Sequence, residues 1–510
     1  MKVEAWERLL PETDCSREFL LQGIAEGFHI INETPVQSVE VHNHKSAVSA
    51  ANRDKVEAQI QEELDNLQYT IVEEKPFIIS ALGAIPKKGS TKVRLIHDAS
   101  RPIGSALNDF ATADSFQYQT LMDARKLVKP GWYMGKIDLA NAYRVVRIHP
   151  SNYEYTGLQW TFSGQDKSTY MVDTRLPFGA KKSPMIFNEL TQAVRRIMAA
   201  KGFTNIVVYL DDFLVVESSL YEQCKTTMNV LLGVLRELGF RISYKKIEGP
   251  TLRLLFLGVI LDSISMTLEL PKSKCDELRQ CLASVKDRSK VTKKELQSLA
   301  GKLNWASLCI YGGRSHLRRV LDKMNELKRP YHRTRVSRDL RADIDWWLCF
   351  MDTFNGSVQM VECRPATSVC IDACDTAAGA FYVNSCVYTP WDGLGKDVRN
   401  LHINYKEVMS LEPAARCWAP AWENKTVFVH SDNQAAVAIV NKGSCKNPIV
   451  MDSLRRVFWL SAVHNFRLRA VYYPGRHNTV ADSTCISRLH EPGGWGRLQA
   501  ALSVTLTHPP

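Results

Sequence analysis

Two adjacent acids, Asp211 and Asp212, stand between two runs of β-branched and apolar residues in the segment NIVVYLDDFLVVES, residues 205–218. Each run has the length and composition of a buried strand. A hairpin with these acids at its tip places carboxylates at the end of a sheet, and they are costly to bury without a cation. The pattern therefore favours a metal site for phosphoryl or nucleotidyl transfer, although an ordinary hairpin turn has the same letters.

A third acid, Asp138, ends a short apolar stretch and precedes a turn-like segment that contains an aromatic residue, Tyr143. A two-metal site needs carboxylates from separate strands, because they bridge ions that lie about 3.5–4 Å apart. We expect Asp138 and Asp211 to bind the metal ions, with Asp212 as a supporting acid. Taken alone, Asp138 is better explained as a strand-end or turn acid.

From about residue 70 to about residue 270 the chain resembles, motif by motif, a reverse transcriptase of the retroelement and retrovirus kind. The matching segments, in order, are ALGAIPKKGSTKVRLIHDASR, KIDLANAY, LPFGAKKSP, YLDD, GFRISYKK and LFLGV. The resemblance implies an α+β right-hand polymerase, with fingers, palm and thumb, that copies an RNA or DNA template from a DNA primer with deoxynucleoside triphosphates. It also implies two Mg²⁺ ions per active site, with Mn²⁺ as an alternative because oxygen ligands accept both.

The same resemblance assigns residues to the nucleotide. Lys87 and Arg94 are expected to hold the triphosphate, and a solvated basic hairpin is the alternative. Tyr143 matches the aromatic residue that excludes a ribose 2′-hydroxyl. Gly179 is expected to let the backbone approach the nucleotide closely. Phe178 stands where retroviral enzymes carry Gln, so the Gln contact does not transfer to this chain.

Two further motifs follow the acidic hairpin. Lys246, which we favour over Lys245, matches the lysine proposed to protonate the pyrophosphate leaving group, and a mobile surface lysine is the alternative. Leu257 and Gly258 lie in a segment that matches the hairpin holding the primer end.

The second half of the chain carries four acids in separate settings. Asp372 and Asp432 each end an apolar strand, Glu407 lies in a helix-like stretch, and Asp482 follows in YYPGRHNTVADSTCISR. Their order resembles an α/β RNase H-like domain, in which such acids bind two metal ions over an RNA–DNA hybrid. Each acid alone fits a cap or a turn. His477 is either an aid to product release or an ordinary loop residue.

Between these regions lies a basic segment. Residues 272–341 hold 19 Lys and Arg against 7 Asp and Glu, a net +12, whereas the whole chain carries +11. Such a segment suits contact with a nucleic-acid backbone, and a solvated helical linker is the alternative. By resemblance it is the thumb and connection, and Arg314, Arg318 and Arg319 are expected phosphate contacts.

Periodicity predicts helices in both halves. Residues 185–200 place apolar side chains on one face: Ile186, Leu190, Val194 and Ile197. Thr292 and Glu295 form a capping-box pattern at the start of a second helix. Its apolar stripe is Leu296, Leu299, Leu303 and Leu308. Gly312 and Gly313 are expected to end it before a helix resumes at residues 317–328.

The predicted organisation is an N-terminal extension (1–70), fingers and palm (71–271), a basic helical thumb and connection (272–362), an RNase H-like domain (363–490) and a C-terminal tail (491–510). Within retroelements, the segments HIN (402–404), LQSLAGKL (296–303) and ADS (481–483) look most like DIRS-type elements, with gypsy-type elements next. Two alternatives remain: a decayed copy that binds nucleic acid without catalysis, and a polymerase whose RNase H half is inactive.

The 13 cysteines are scattered without a CxxC pair, so neither a zinc knuckle nor a disulfide framework is expected. Reduced thiols favour an intracellular protein, in the cytoplasm or nucleus. The N-terminal residues lack an apolar signal core, and no apolar stretch is long enough to predict a membrane span. The sequence does not distinguish a monomer from a dimer.

Overall fold

The computed structural model describes residues 1–86, 92–113, 115–353, 356–360, 364–394 and 396–474. The chain divides into two compact units, Met1–Met266 and Thr267–Pro510. No helix in the described ranges is both long and apolar enough to cross a membrane.

The first unit contains helices and strands in alternating groups. Its helices are α1 (Val3–Leu9), α2 (Arg17–Glu26), α3 (Lys45–Val48), α4 (Arg53–Asp65), α5 (Leu121–Leu127), α6 (Ser183–Ala200) and α7 (Tyr221–Leu238). Its strands are β1 (Val39–Glu40), β2 (Tyr69–Val72), β3 (Ile78–Ile79), β4 (Ala81–Pro86), β5 (Val93–Asp98), β6 (Met134–Asp138), β7 (Gly157–Trp160), β8 (Thr169–Asp173), β9 (Ile206–Tyr209), β10 (Asp212–Val216), β11 (Glu248–Thr251), β12 (Arg253–Phe256) and β13 (Val259–Asp262).

A four-stranded antiparallel sheet, in the order β11-β6-β10-β9, forms the centre of this unit. Helices α6 and α7 cover it with apolar faces. The four apolar positions predicted for α6 are all buried, which confirms the predicted face. Gly135 in β6 allows close packing, because a Cβ atom there would lie 2.2 Å from the Met228 sulfur of α7.

Two other sheets adjoin this centre. Strands β1-β3-β7-β8-β2 form a five-stranded sheet, and β4 pairs with β5 as an antiparallel hairpin. Residues 1–70, predicted as an extension, belong to the same compact unit. Trp6 of α1 is fully buried and donates from Nε1 to the Leu238 carbonyl of α7 at 3.1 Å.

The second unit begins with helices and short strands and continues into a larger sheet. Its helices are α8 (Lys272–Lys286), α9 (Lys293–Ala306), α10 (Arg318–Asn325), α11 (Arg338–Thr353), α12 (Lys396–Arg399), α13 (Ile403–Met409), α14 (Leu411–Trp418), α15 (Gln434–Lys442) and α16 (Pro448–Val463). Its strands are β14 (Thr267–Glu269), β15 (Lys290–Thr292), β16 (Arg333–Arg335), β17 (Ser357–Gln359), β18 (Ala366–Ala373), β19 (Ala377–Tyr382), β20 (Ser385–Pro390), β21 (Thr426–Ser431) and β22 (Arg467–Tyr472).

Helix α9 begins as predicted. The Thr292 hydroxyl accepts from the Glu295 amide at 3.2 Å, and the Glu295 carboxylate accepts from the Thr292 amide at 2.8 Å. The predicted stripe is too long at its end, since the helix stops at Ala306 and Leu308 lies beyond it, half-buried. Gly312, at φ +78°, lies in the break before α10, as predicted.

The five-stranded sheet of the second unit has the order β20-β19-β18-β21-β22. Strands β18, β19 and β20 are antiparallel neighbours, whereas β18, β21 and β22 run parallel. Each parallel step needs a helical crossover. Helices α13 and α14 supply the first crossover, and α15 and α16 supply the second.

Candidate catalytic sites

The first acidic cluster consists of Asp138, Asp211 and Asp212. Strands β6 and β10 pair so that Asp138 stands directly opposite Asp212. Leu210, with φ at +53°, turns the chain between β9 and β10, and the Leu139 amide donates to the Asp211 carbonyl at 3.0 Å. The hairpin predicted from the sequence therefore forms and brings acids from two strands together.

Burial and mutual repulsion disfavour the charged forms of this cluster. The pKa of Asp211 is raised, first by burial and then by the charge of Asp138. Burial, followed by the charges of Asp211 and Asp138, raises the pKa of Asp212 to about 6. A cation bound here would relieve both effects, which is the electrostatic signature expected of a metal site.

A lysine already compensates one of these acids. The Lys246 ammonium donates to Oδ1 of Asp138 at 2.8 Å and to Oδ2 at 3.1 Å. This hydrogen bond is the main reason that the pKa of Lys246 is raised. The sequence favoured Lys246 over Lys245, and Lys246 is the lysine that contacts the cluster.

The first cluster opens into a cavity of about 760 Å³, called here the first cleft. Six predicted site residues line it: Arg94, Asp138, Tyr143, Phe178, Asp211 and Lys246. Asp212 and Gly179 are not among the residues that line it. Asp212 stands beside Asp138 in the sheet, and its supporting role stays a prediction.

Two aromatic rings and a guanidinium group form one wall of the first cleft. The ring centroids of Tyr143 and Phe178 are 5.1 Å apart. The Arg94 guanidinium lies 5.3 Å from the centroid of the Phe178 ring, within the range of a cation–π contact. Phe178 thus contacts both Arg94 and Tyr143, the two residues that the sequence assigned to the triphosphate and to the sugar. Lys87 lies outside the described residues.

The structure shows a further requirement for glycine at position 179, beside the predicted approach to the nucleotide. Its φ is +129°, and a Cβ atom would lie only 2.0 Å from the His97 carbonyl oxygen of β5. The His97 amide donates to the Phe178 carbonyl at 2.9 Å. The glycine is therefore required by packing of the backbone against β5.

The hairpin containing Leu257 and Gly258 forms as predicted. Phe256 pairs with Val259, and the two intervening residues have φ values of +47° and +82°. The Lys136 ammonium of β6 donates to the Leu255 carbonyl at 3.2 Å and to Glu248 at 2.8 Å. Lys136 was not predicted as a site residue, and only its position two residues before Asp138 pointed to it in the sequence.

The three arginines predicted to contact phosphate differ in their surroundings. Arg314 is exposed. Arg318 pairs with Asp322 one helical turn away. Arg319 donates to Asp343 at 2.9 Å and to Asp452 at 3.0 Å. A phosphate contact by Arg318 or Arg319 would have to compete with these carboxylates, so Arg314 fits the prediction best.

The second acidic cluster consists of Asp372 on β18, Glu407 on α13 and Asp432 after β21. One carboxylate oxygen from each lies within 4.8 Å of the others. Among the described residues, this is the group of three potential ligands that meets this distance; the first cluster does not. The convergence expected from the sequence is present for these three acids, and Asp482 lies outside the described residues.

Glu407 is the buried centre of the second cluster. Burial, then the charges of Asp372 and Asp432, raise the pKa of Glu407 to about 9. Its Oε1 accepts from the Ala373 amide at 3.2 Å, and its Oε2 accepts from the Ser431 hydroxyl at 3.3 Å. Ser431 was not predicted as a site residue, and only its position directly before Asp432 pointed to it in the sequence.

Comparisons with known proteins agree with this geometry. Residues 85–261 match the family described as reverse transcriptase (RNA-dependent DNA polymerase). The Gag-Pol polyprotein of gibbon ape leukemia virus is 27% identical over 268 residues, and that of koala retrovirus is 27% identical over 248 residues. These matches cover 50% and 46% of this chain but only 15% and 14% of the polyproteins.

Solved structures show a similar fold. The foamy viral protease-reverse transcriptase in complex with RNA/DNA hybrid matches 92% of this chain and 62% of its own, at a TM-score of 0.53 and 16% identity. The same protein in complex with dsDNA matches 93% of this chain and 97% of its own, at a TM-score of 0.52 and 16% identity. At 16% identity, this similarity supports a polymerase fold and no more than the fold. The family match and the polyprotein relatives identify residues 85–261 as a reverse transcriptase domain.

Proposed function

We propose that this chain is an RNA-directed and DNA-directed DNA polymerase whose second unit degrades the RNA strand of RNA–DNA hybrids. The observation that carries the polymerase half is the first cleft, where two carboxylates, an aromatic wall, an arginine and a lysine face one cavity. Its proposed partners are an RNA template, a DNA primer, an RNA–DNA hybrid and deoxynucleoside triphosphates.

The donor atoms of the first cluster suit a hard divalent cation such as Mg²⁺, with Mn²⁺ as an alternative. All three acids offer oxygen ligands, and burial together with the neighbouring carboxylates raises the pKa values of Asp211 and Asp212, which supports a cation at this place. When bound, two such ions would activate the primer 3′-hydroxyl and stabilise charge on the phosphates. Asp138 and Asp211 would hold them, supported by Asp212.

The remaining residues of the first cleft would position the substrate. The Arg94 guanidinium, held over the Phe178 ring, would contact the triphosphate. The Tyr143 ring would contact the sugar at the position of the 2′ substituent. Lys246, already bonded to Asp138, would move a proton to the leaving pyrophosphate. Leu257 and Gly258 would contact the primer end.

The second acidic cluster supports the nuclease half of the proposal. Three oxygen ligands converge there at the end of a mixed sheet of antiparallel and parallel strands. We infer an RNase H-like arrangement with Asp372, Glu407 and Asp432 as ligands of Mg²⁺, and with Asp482 as a fourth acid. The metal would supply an activated water for hydrolysis of the RNA strand.

The finer assignments also remain proposals. We infer a DIRS-type retroelement origin from the segments HIN, LQSLAGKL and ADS, and we infer the domain boundaries given from the sequence. The described cysteines are free thiols, which favours an intracellular location in the cytoplasm or nucleus.

Primer extension on a labelled RNA template annealed to a labelled DNA primer tests both halves in one reaction. With Mg²⁺ and four deoxynucleotides, we expect primer lengthening and template shortening. The variant Asp211→Asn should lose lengthening and keep shortening of a preformed hybrid. Tight hybrid binding without either reaction would refute the proposal and favour a nucleic-acid-binding protein. Primer extension without template shortening would mean that the RNase H half is inactive.

A further inference from the structure

A buried polar network lies behind the aromatic wall of the first cleft. It consists of Glu63, Tyr69, His97, Arg144 and Asp173, all of which line the cleft. Arg144 is 5% exposed and Asp173 is 0% exposed. Charged groups are rarely buried this completely unless they are paired.

Arg144 is the centre of the network. Its Nη1 donates to Oδ2 of Asp173 at 2.8 Å, and its Nε donates to Oε2 of Glu63 at 3.0 Å. Its guanidinium lies 5.3 Å from the centroid of the Tyr69 ring. The Tyr69 hydroxyl in turn lies 3.1 Å from Nε2 of His97. Four chain segments distant in sequence are therefore joined through one cation.

The network also holds both halves of the aromatic wall. Arg144 directly follows Tyr143 and donates from Nη1 to the Leu176 carbonyl at 3.3 Å, two residues before Phe178. His97 donates its backbone amide to the Phe178 carbonyl at 2.9 Å. A shift of Arg144 or His97 would consequently move the Tyr143 ring or the Phe178 ring.

Stability alone is a weak explanation for such a network. Burying ions is costly, and well-packed apolar residues often stabilise a core as much as an ion pair does. Buried hydrogen bonds and ion pairs, such as those that Arg144 makes with Asp173 and Glu63, nevertheless fix side chains in one arrangement. A fixed arrangement would matter for the substrate at the Tyr143–Phe178 wall, which lies beside the two carboxylates of the first cleft.

We propose that Arg144 and Asp173 are positioning residues that set the distance between the Tyr143–Phe178 wall and the nucleotide sugar, and so determine discrimination against ribonucleotides. His97 and Tyr69 complete the same support. This inference rests on the proposed polymerase function. None of the four residues needs to touch the nucleotide to act in this way.

The chain contains a matched control. Arg196 on α6 also bridges two carboxylates, donating to Asp14 at 2.6 Å and to Glu189 at 2.7 Å. It is not among the residues that line the first cleft. Arg196→Gln therefore removes an arginine that bridges two carboxylates in the same unit without touching the aromatic wall, although its side chain is 29% exposed against 6% for Arg144.

The test compares the intact chain with Arg144→Gln, Arg196→Gln and the mild variant Tyr69→Phe. Single-nucleotide extension is measured with a deoxynucleotide and with its ribonucleotide. The ratio compared is kcat/KM for the deoxynucleotide divided by kcat/KM for the ribonucleotide. We expect this ratio to fall about tenfold in Arg144→Gln, mainly through a lower KM for the ribonucleotide, because small displacements at a reacting site have large effects. It should fall about twofold in Tyr69→Phe and stay unchanged in Arg196→Gln.

The outcomes separate the inference from the function on which it rests. An unchanged ratio in a folded Arg144→Gln, or an equal fall in Arg196→Gln, would overturn the positioning role while leaving the polymerase intact. If Arg144→Gln fails to fold, as judged by its thermal unfolding, Tyr69→Phe decides, and an unchanged ratio there overturns the inference. An intact chain without any extension would overturn both.

Discussion

Neighbouring carboxylates are buried in both acidic clusters, and their negative charges are balanced in different ways. In the first cluster, the Lys246 ammonium lies on both oxygens of Asp138. In the second cluster, burial and the charges of Asp372 and Asp432 raise the pKa of Glu407 to about 9, which favours its protonated form at neutral pH. Without metal, we therefore expect an ammonium group to balance charge in the first cluster and a proton to do so in the second.

This difference also appears in the geometry. One carboxylate oxygen from each of the three acids of the second cluster lies within 4.8 Å of the others, and this proximity adds to burial in raising the pKa of Glu407. The acids of the first cluster do not converge to that distance, and Lys246 occupies the oxygens of one of them. Metal binding is therefore expected to displace an ammonium group at the first cluster and to release a proton at the second.

The largest effect expected is a complete separation of the two reactions. Asp432→Asn removes a ligand of the second cluster and should reduce RNA cleavage by about 10³-fold or more, because the transition state of cleavage loses several kcal/mol of stabilisation. Extension should stay unchanged, because Asp432 does not belong to the first cluster. Labelled hybrid substrates measure both rates. Asp375→Asn is the control, since Asp375 is an exposed acid three residues after Asp372 that pairs with Lys406 and is not a member of the cluster. Loss of both reactions in Asp432→Asn would contradict independent sites.

The second expected effect is a different pH dependence of metal binding. Because Glu407 must lose its proton to act as a ligand, the Mg²⁺ affinity of the second cluster should rise about tenfold per pH unit up to about pH 9. Asp212, with a pKa of about 6, should limit the first cluster only below about pH 6. Calorimetric Mg²⁺ titrations from about pH 5 to about pH 9 measure both.

Glu407→Gln is the control for this experiment, since it cannot release the proton and should remove the alkaline rise. The rise should persist in Asp211→Asn, which alters only the first cluster. Equal pH slopes at the two clusters would show that a proton on Glu407 does not compensate the second one.

A smaller effect is expected from the lysine of the first cluster. Lys246→Gln removes the ammonium that competes with metal for Asp138, so Mg²⁺ should bind the first cluster up to about fivefold more tightly. The effect is limited because the Lys246 side chain is 63% exposed and such pairs contribute at most about 1 kcal/mol. The Mg²⁺ concentration for half-maximal extension measures it, with Lys245→Gln as the neighbouring control. Weaker Mg²⁺ binding in Lys246→Gln would mean that the lysine supports the ligands instead of competing.

The sequence predicted the parts of both clusters that depend on local patterns. The apolar runs around Asp211 located a hairpin, since strand ends and turns are set by neighbouring residues. The helix of residues 185–200 followed from its period in the same way. Convergence of Asp372, Glu407 and Asp432 required the resemblance to a known fold, because their separation along the chain carries no geometric information.

The remaining features depend on side chains that meet across long sequence distances. Arg144 and Asp173 are 29 residues apart, and no periodic pattern links them. Arg319, which is predicted to bind phosphate, contacts Asp343 and Asp452, which are 24 and 133 residues away in the chain. Gly179, which is predicted to let the backbone approach the nucleotide, also lies against the His97 carbonyl. Such contacts follow from packing, which composition and spacing do not determine.

The smallest expected effect sharpens the account of the second cluster. The Ser431 hydroxyl donates to Oε2 of Glu407 and so favours the charged form of that carboxyl. Ser431→Ala should raise the pKa of Glu407 further and shift the midpoint of the alkaline rise upward by about half a pH unit. This is the shift expected from one hydrogen bond contributing about 0.5–1.5 kcal/mol.

Ser410→Ala provides the matched control, because Ser410 is equally buried but donates to the backbone carbonyl of Glu407, at 2.6 Å. Both variants lose a buried hydroxyl next to the same residue, and only Ser431→Ala removes a bond to the carboxyl group. A similar shift in both would assign the pKa change to altered packing of α13. A downward shift in Ser431→Ala would mean that Glu407 donates to Ser431, so that the protonated carboxyl is the form that this contact stabilises.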